Sequence, residues 1–514
     1  MTRRSSGLVS SAFYVTLIIL FSKAIGFVRE MIMAAVFGAN SVTDAYNSAY
    51  SLFYLPVLLF SSCITSTLVP QYMRCRREIG QEGADRFSSN ALTLFTLLSL
   101  LISALMFLLA KPLVKLVYPG FIGQKFALTV SLTRIMLPAL AFFVAGLVLS
   151  SILNAREKFV AAQLTGLPLS LAEIVAAVFL SERYGIQTQA WGVIAAGMLQ
   201  VIVLVPFLSG SFRYTPNIDL QDKYLKRLLV LALPAILSMA VNELNHMVDR
   251  MLASGLNDGD ITAMTYAFKL IMFMMGVLVV PLTTVSFSKM AKQAIKDSPQ
   301  QVIPQVRDSV KLLLTAVLPL VMICAVESQD IIRFAYGRGR FSEQNVYVTG
   351  YVFLFYVVGV PFFGIRDLLN RVYHAFEDTT TPMYIAVISV AVNICLNLIL
   401  RHFMGVYGLA FATGIAALVG VILLCVKLRK KISGLFNRAF VLDLLKLLAS
   451  CAPMLVLTLW FSRLYPPAFG TGQVFIRLIV IALCSLVVYA ATLAVIDRKR
   501  AAALCKQIIS RIKR

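Results

Sequence analysis

Long apolar segments follow one another along almost the whole chain, and this pattern constrains its fold more than any other feature. Each is close to the ~20 apolar residues that a membrane-spanning helix needs. Charged residues make up 14% of the chain, against about 25% in soluble domains, and the mean hydropathy is +0.83. The sequence therefore predicts an all-α polytopic membrane protein with fourteen transmembrane helices, near residues 8–37, 41–72, 88–110, 126–151, 159–181, 189–209, 224–253, 260–288, 308–326, 345–373, 380–400, 405–426, 440–462 and 473–496.

Ionisable residues interrupt these apolar segments at equivalent places in the two halves of the chain. The first segment contains Lys23, Arg29 and Glu30, and the seventh and eighth contain Glu243, Asp249, Arg250 and Lys269. A charged side chain at the centre of a membrane helix costs roughly 2.5–3.5 kcal/mol on insertion scales, so such residues usually face the bundle interior or a wet cavity. Charge at matching positions of two repeats is typical of a transporter cavity.

Short sequence matches at a near-constant offset indicate an internal duplication. Residues 154–157 (NARE) resemble 374–377 (HAFE), and Trp191-Gly192 resembles Tyr407-Gly408. Each half holds six segments, an even number, so the two halves enter the membrane in the same sense and are related by a pseudo-twofold axis along the membrane normal. We predict a six-helix N-lobe at 1–215, a six-helix C-lobe at 216–432, two extra helices within 433–497 and a basic amphipathic cytoplasmic tail at 498–514.

The net charge of +23 arises from 47 Lys and Arg against 24 Asp and Glu. Most of these cations fall in alternate loops, which is the positive-inside bias of a membrane protein and places both termini in the cytoplasm. The distribution argues against a nucleic-acid partner. We expect the basic tail to lie on anionic membrane lipids.

Several classes of function find no support in the sequence. It contains no GxxxxGK[ST] loop for ATP, and its eight cysteines and three histidines show no zinc-ligand spacing. The segments outside the membrane are too short for a soluble catalytic domain, and no acid/base set for a membrane enzyme is evident. A non-transporting scaffold would not need charges at membrane depth. We therefore expect a transporter and not an enzyme.

Three motifs carry a resemblance to a known family. They are SKAIGFVRE at 22–30 with FGA at 37–39 and TDAY at 43–46, FAYGRGRF at 334–341, and RVYHAFEDTTTP at 371–382. Together they resemble the MurJ (MviN) lipid II flippases of the multidrug/oligosaccharidyl-lipid/polysaccharide exporter superfamily. The resemblance implies two lobes around a central cavity and alternating access. It also implies a monomer in the bacterial cell membrane that moves lipid II, the undecaprenyl-diphosphate-linked disaccharide-pentapeptide, to the outer leaflet. The alternatives are a flippase for another polyprenyl-diphosphate-linked oligosaccharide and a cation-coupled drug exporter.

The resemblance implies that Lys23, Arg29 and Lys269 contact the diphosphate, with Glu30 and Asp44 also at the substrate site. Lysine at positions 23 and 269 keeps the charge of the family's arginine but lacks its bidentate fork. Two alternatives stay open: Lys23 can pair internally with Glu30, and Asp44 can cap the N-terminus of the second helix.

The resemblance also implies a sodium site made of oxygen ligands, with Na⁺ as the coupling ion. The site comprises the side chains of Asp249, Asn393, Asn397 and Thr413 and the backbone carbonyl of Leu409. Asn393 and Asn397 lie one helical turn apart on the same face. The alternative is hydrogen bonding between membrane helices by buried amides. No other cofactor is expected.

Overall fold

The computed structural model describes residues 2–209, 212–284, 286–287, 303–431, 437–464 and 470–498, and these are almost entirely helical. Two short π-helical turns, Ala176–Leu180 and Met275–Val279, interrupt longer helices, and the described residues contain no β-strand. The predicted tail lies almost wholly outside the described residues.

The α-helices are α1 (Thr2–Phe37), α2 (Ser41–Leu108), α3 (Ala110–Val117), α4 (Gly123–Met136), α5 (Ala139–Ala155), α6 (Phe159–Gln163), α7 (Gly166–Val175), α8 (Ser181–Tyr184), α9 (Gln187–Leu208), α10 (Lys223–Ala253), α11 (Asp260–Met274), α12 (Ile303–Val326), α13 (Ser328–Tyr336), α14 (Glu343–Ala375), α15 (Thr380–Met404), α16 (Val406–Lys431), α17 (Arg438–Leu464) and α18 (Thr471–Ile496).

The lengths of these helices confirm the predicted class of polytopic all-α membrane protein. By length and composition, 11 helices of the described residues can cross a membrane, or 12 if the pair α4 and α5, bent by 43°, forms one span. The 68-residue α2 is long enough for two crossings at 1.5 Å per residue. Gly80 divides it, with φ 80° and ψ −174°, a conformation that glycine adopts without a steric penalty. With the 36-residue α1, this set is compatible with fourteen spans.

Large apolar side chains cover much of the outer surface of these helices. Phe179 is 75% exposed and Leu101 is 66% exposed. In water such a surface would aggregate, whereas in a bilayer it faces lipid acyl chains. Helices satisfy their own backbone hydrogen bonds, so they tolerate that environment.

The described chain divides into two compact units. The first comprises residues 1–262 with 338–341, and the second comprises residues 263–337 with 342–514. In the first unit α2 packs against α4, α5 and α10, while α7 packs against α1 and α9. This packing brings the charged part of α1 next to α7. The predicted lobe boundaries, with a division at residue 215, stay a prediction.

The second unit is built around α14, which packs against α12, α13 and α16, with α17 and α18 packed on α12. Arg477 of α18 forms ion pairs with Glu327 and Asp330 at the start of α13. Burial raises the pKa of Glu327, although the Arg477 charge opposes this shift. These buried ion pairs hold the start of α13 against α18.

Local backbone conformation repeats at the offset found in the sequence. Glu157 and Glu377, 220 residues apart, are the two non-glycine residues with positive φ in the described chain, at 62° and 58°. Each follows a helix end, and its N–H donates to the carbonyl three residues earlier, that of Asn154 or His374. An αL residue at the same step of two helix–turn–helix segments is an uncommon conformation. The duplicated NARE and HAFE motifs therefore form the same turn, with the glutamate of each in the αL conformation.

Residues 338–341 of the FAYGRGRF motif pack within the first unit against the end of α1. The N–H of Arg340 donates to the carbonyl of Ala35 at 2.7 Å. Gly339 has φ 59°, and a Cβ there would lie 2.2 Å from the same oxygen. Glycine is therefore required at this position by both its backbone conformation and the close approach of the two segments.

Candidate substrate-binding site

Arg29 of α1 lies between two carboxylates in the first unit. Its Nη2 is 2.6 Å from Glu30 Oε1, and its Nη1 is 3.1 Å from Glu173 Oε2 on α7. The side chains are 16%, 9% and 4% exposed, respectively. Arg29 therefore joins two helices through charge-assisted hydrogen bonds in a setting of low polarity.

The hydroxyl of Tyr46 completes this cluster. It donates to the second carboxylate oxygen of Glu173 at 2.8 Å, from the first turns of α2. Tyr46, Tyr50 and Tyr54 recur every fourth residue along one face of α2, with ring centroids 6.1 and 5.4 Å apart. The cluster thus connects α1, α2 and α7 and lies beside a row of aromatic rings with polar edges.

The two predicted basic partners of Arg29 occupy different settings. Lys23 is exposed on α1, whereas Arg29 is half-buried, so a single tight clamp by these two residues of a continuous helix is not formed. Lys269 is half-buried on α11 in the second unit, with its Nζ 5.8 Å from the ring centroid of Tyr266. Contact of Lys23, Arg29 and Lys269 with a diphosphate stays a prediction.

Asp44 is fully buried, and its carboxylate has four protein donors. They are the Nζ of Lys125 at 2.8 Å, the N–H of Gly259 at 2.8 Å, and the N–H and hydroxyl of Thr262 at 2.9 and 2.7 Å. The N-terminus of α2 is capped by Asn40 and not by Asp44. In this conformation Asp44 therefore joins α2, α4 and the N-terminal end of α11. Its predicted contact with substrate is untested.

The residues of the predicted sodium site form two hydrogen-bonded pairs in the second unit. Asn397 Nδ2 donates to Asn393 Oδ1 at 3.0 Å, and the hydroxyl of Thr413 donates to the carbonyl of Leu409 at 3.1 Å. Amide and hydroxyl oxygens are ligand types that hard cations accept, whereas the Leu409 carbonyl also accepts the backbone N–H one turn further along its helix. Asp249 is buried in the first unit. A common site for all five residues stays a prediction.

Sequence reasoning did not single out Glu173 or Lys125. Glu173 is the one acid in the GLPLSLAEIV segment of α7. The criterion used for α1, an ionisable group inside an apolar run, would have found it. Lys125 lies in the polar first turn of α4, where no pattern distinguishes it from a solvated lysine.

The match to a protein-family model decides the family. Residues 33–480 match the model described as "Lipid II flippase MurJ". The chain belongs to the MurJ family. It is 32% identical to the probable lipid II flippase MurJ of Rhizobium meliloti (strain 1021) over 424 residues, which cover 79% of this chain and 77% of the relative. It is 29% identical to that of Rhizobium tropici over 472 residues, covering 88% and 87%.

Solved structures agree with membership of the MurJ family. A lipid II flippase MurJ in an inward closed conformation matches with a TM-score of 0.79 at 26% identity, covering 94% of this chain and 98% of that one. An inward-facing MATE family multidrug transporter of the MOP superfamily matches with a TM-score of 0.71 at 14% identity, covering 80% and 95%. The second likeness shows a shared fold alone.

Proposed function

We propose that this chain is a lipid II flippase that moves the lipid-linked disaccharide-pentapeptide from the cytoplasmic to the outer leaflet of the bacterial cell membrane by alternating access. The match to the MurJ family over residues 33–480 carries the proposal. The chain is a transporter and not an enzyme, and its role lies in supplying precursor for peptidoglycan synthesis.

The charge chemistry of the Arg29 cluster supports a diphosphate substrate. A guanidinium presents planar pairs of N–H donors that match two phosphate oxygens. Arg29 is largely buried between helices, where water competes weakly for these donors. The half-buried Tyr50 and Tyr54 of α2 offer both ring faces and hydroxyl groups to a sugar–peptide head group, while the polyprenyl tail stays in lipid.

Complementation tests the proposal directly. A strain depleted of its own lipid II flippase should regain growth when it expresses this chain, and vesicles with the purified protein should move lipid II between leaflets. The matched substrate control is a polyprenyl diphosphate that carries an unrelated oligosaccharide. Transport of the control lipid or of a cationic drug, without transport of lipid II, would replace this proposal with one of the other superfamily functions.

We propose that both termini are cytoplasmic, from the distribution of Lys and Arg. In a variant without the eight native cysteines, single cysteines at Ile122 and Asn257 should react in intact cells with a membrane-impermeant thiol reagent. Cysteines at Ser6 and Glu82 should react only after the cells are opened. The opposite labelling pattern would show that the termini lie outside the cytoplasm.

We also propose that the protein is a monomer and that its basic tail binds anionic lipids.

We propose Na⁺ as the coupling ion, held by Asp249, Asn393, Asn397, Thr413 and the carbonyl of Leu409. NaCl should then raise the apparent melting temperature relative to KCl at equal ionic strength, because an ion that binds only the folded state stabilises it. Asn393→Leu should remove this difference. The control is Gln344→Leu, which changes an exposed amide and should retain it. A wild-type protein that melts at the same temperature in both salts would exclude sodium coupling.

A further inference from the structure

We infer that Glu173 is the exchangeable counter-ion of Arg29. Glu173 pairs with the guanidinium while the site is empty. When the substrate binds, its diphosphate replaces Glu173 at the guanidinium, and Glu173 takes up a proton. The inference rests on the proposed function and deepens it. It assigns a role to an acid that neither the family match nor the sequence motifs single out.

The first support is the excess of negative charge at the cluster. One guanidinium faces two carboxylates, those of Glu30 and Glu173, and both are buried. A diphosphate carries at least two negative charges near neutral pH, so it is repelled by this cluster until one carboxylate withdraws or becomes neutral. An arginine that binds the substrate in every cycle must therefore exchange one of its two acids.

The position of each acid indicates which one is exchanged. Glu30 is the next residue after Arg29 on α1 and moves with it, and its contact is the shorter at 2.6 Å. Glu173 belongs to another helix, and its contact with Arg29 is 3.1 Å. The backbone of α7 packs closely on α9 there, since a Cβ on Gly192 of α9 would lie in van der Waals contact, 3.5 Å from the Glu173 Cα. Exchange at Glu173 therefore releases a contact between α1 and α7, which links substrate binding to helix movement.

Arg29 also has an N–H donor that the two carboxylates do not use. Its Nε is buried and has no hydrogen-bond partner among the described residues. A buried N–H without an acceptor is destabilising, and more so on a charged group. A phosphate oxygen can accept from this N–H first, and a second oxygen can then replace Glu173 at Nη1.

Proton uptake follows from the burial of Glu173. After exchange its carboxylate has lost its cation in a site of low polarity, where the ionised form is strongly disfavoured. A proton from water then binds Oε2, and the Tyr46 hydroxyl continues to donate to Oε1. Among the described residues, the groups that face Glu173 include Arg29 and Glu30 from α1 and the hydroxyls of Tyr46 and Tyr50 from α2. The segment of α9 packed against α7 contains no Asp, Glu, Lys or Arg. When the lipid leaves, Arg29 pairs with Glu173 again and the proton returns to water.

The test measures affinity for undecaprenyl diphosphate, which has the tail and the diphosphate but no sugar or peptide. Glu173→Gln keeps the size and the acceptor for Tyr46 but removes the competing charge, so it should bind about tenfold more tightly at about pH 8. Wild-type affinity should weaken relative to this variant as the pH rises from about 6 to about 8, because only its complex carries the extra proton. Lipid II transport by the variant should be slower, because Arg29 no longer returns to Glu173. The control is Glu182→Gln, which changes an exposed acid two turns further along the same span and should match wild type.

A second measurement uses the wild-type protein alone and does not depend on the stability of any variant. Calorimetric titration in buffers of different ionisation enthalpy counts protons exchanged on binding. At about pH 8 the diphosphate is already fully ionised, so uptake of close to one proton per lipid bound would come from the protein.

Two results separate the inference from the proposed function. Equal affinities and equal pH profiles for wild type and Glu173→Gln, or no proton uptake, would overturn the role of Glu173 and leave the flippase intact. Failure of wild type to bind the diphosphate lipid at all would overturn the proposed function, and the inference with it.

Discussion

Replacing Arg29 with alanine should abolish complementation of a strain depleted of its own lipid II flippase, with lipid II transport reduced about 100-fold or more. The change removes a bidentate donor for the diphosphate at membrane depth, where a charge-assisted hydrogen bond is stronger than in water. Arg29→Lys should retain partial transport, because it keeps the charge without the planar fork. The measurements are colony formation under depletion and transport of lipid II in vesicles.

The amount of folded protein in the membrane is the essential control, because Arg29→Ala leaves Glu30 and Glu173 buried without their cation. Such a loss can destabilise a protein by several kcal/mol. The double variant Arg29→Ala/Glu173→Gln removes one of the two stranded charges and should restore the protein level but not transport. Full complementation by Arg29→Ala at a normal protein level would contradict the role of this residue as a substrate contact.

The second large effect is expected on stability, at Asp44. Asp44→Ala should lower the free energy of unfolding by about 3–5 kcal/mol. The change removes the buried acid that pairs with the Lys125 ammonium, and it leaves three buried donors of Gly259 and Thr262 without their acceptor. Lys125→Met in the same background should recover part of this loss, since it removes a half-buried cation whose remaining ion-pair partner is then only the exposed Asp258. The measurement is thermal unfolding of the purified protein in detergent.

Asp258 provides the matched control for Asp44. It pairs with the same Lys125 Nζ at 2.8 Å, but its side chain is 64% exposed, whereas that of Asp44 is 0% exposed. Water screens and replaces an exposed ion pair, so Asp258→Ala should change the stability by only about 0.5 kcal/mol. Equal losses at Asp44 and Asp258 would show that burial does not govern this network.

The fold class was predictable because the bilayer imposes it. A segment of about 20 apolar residues must be helical in lipid, since the backbone has no water to bond with. Apolar length alone therefore predicted the helices, and the structure confirms them. Helix boundaries depend on local backbone geometry, and so the long α2, divided only at Gly80, was not foreseen as one helix.

The candidate site was only partly predictable. Arg29 and Glu30 stand out in the sequence because charge inside an apolar run is expensive and therefore functional or paired. Their partner Glu173 lies 144 and 143 residues further along the chain, and the sequence does not state which helices are neighbours. For the same reason Asp44 suggested a helix cap or a substrate contact, whereas the structure pairs it with Lys125.

The sequence by itself determined the class of protein, the apolar segments long enough to cross a membrane, the internal repeat and the presence of costly charges in α1. These properties follow from local composition, hydrophobic length and motif, each of which acts over one helix or one turn. Only the tertiary structure decided how those charges are satisfied. The pairing of Glu173 with Arg29 and Tyr46 depends on the packing of α1, α2 and α7. Because all three side chains are largely buried, their charges and hydrogen bonds depend on one another.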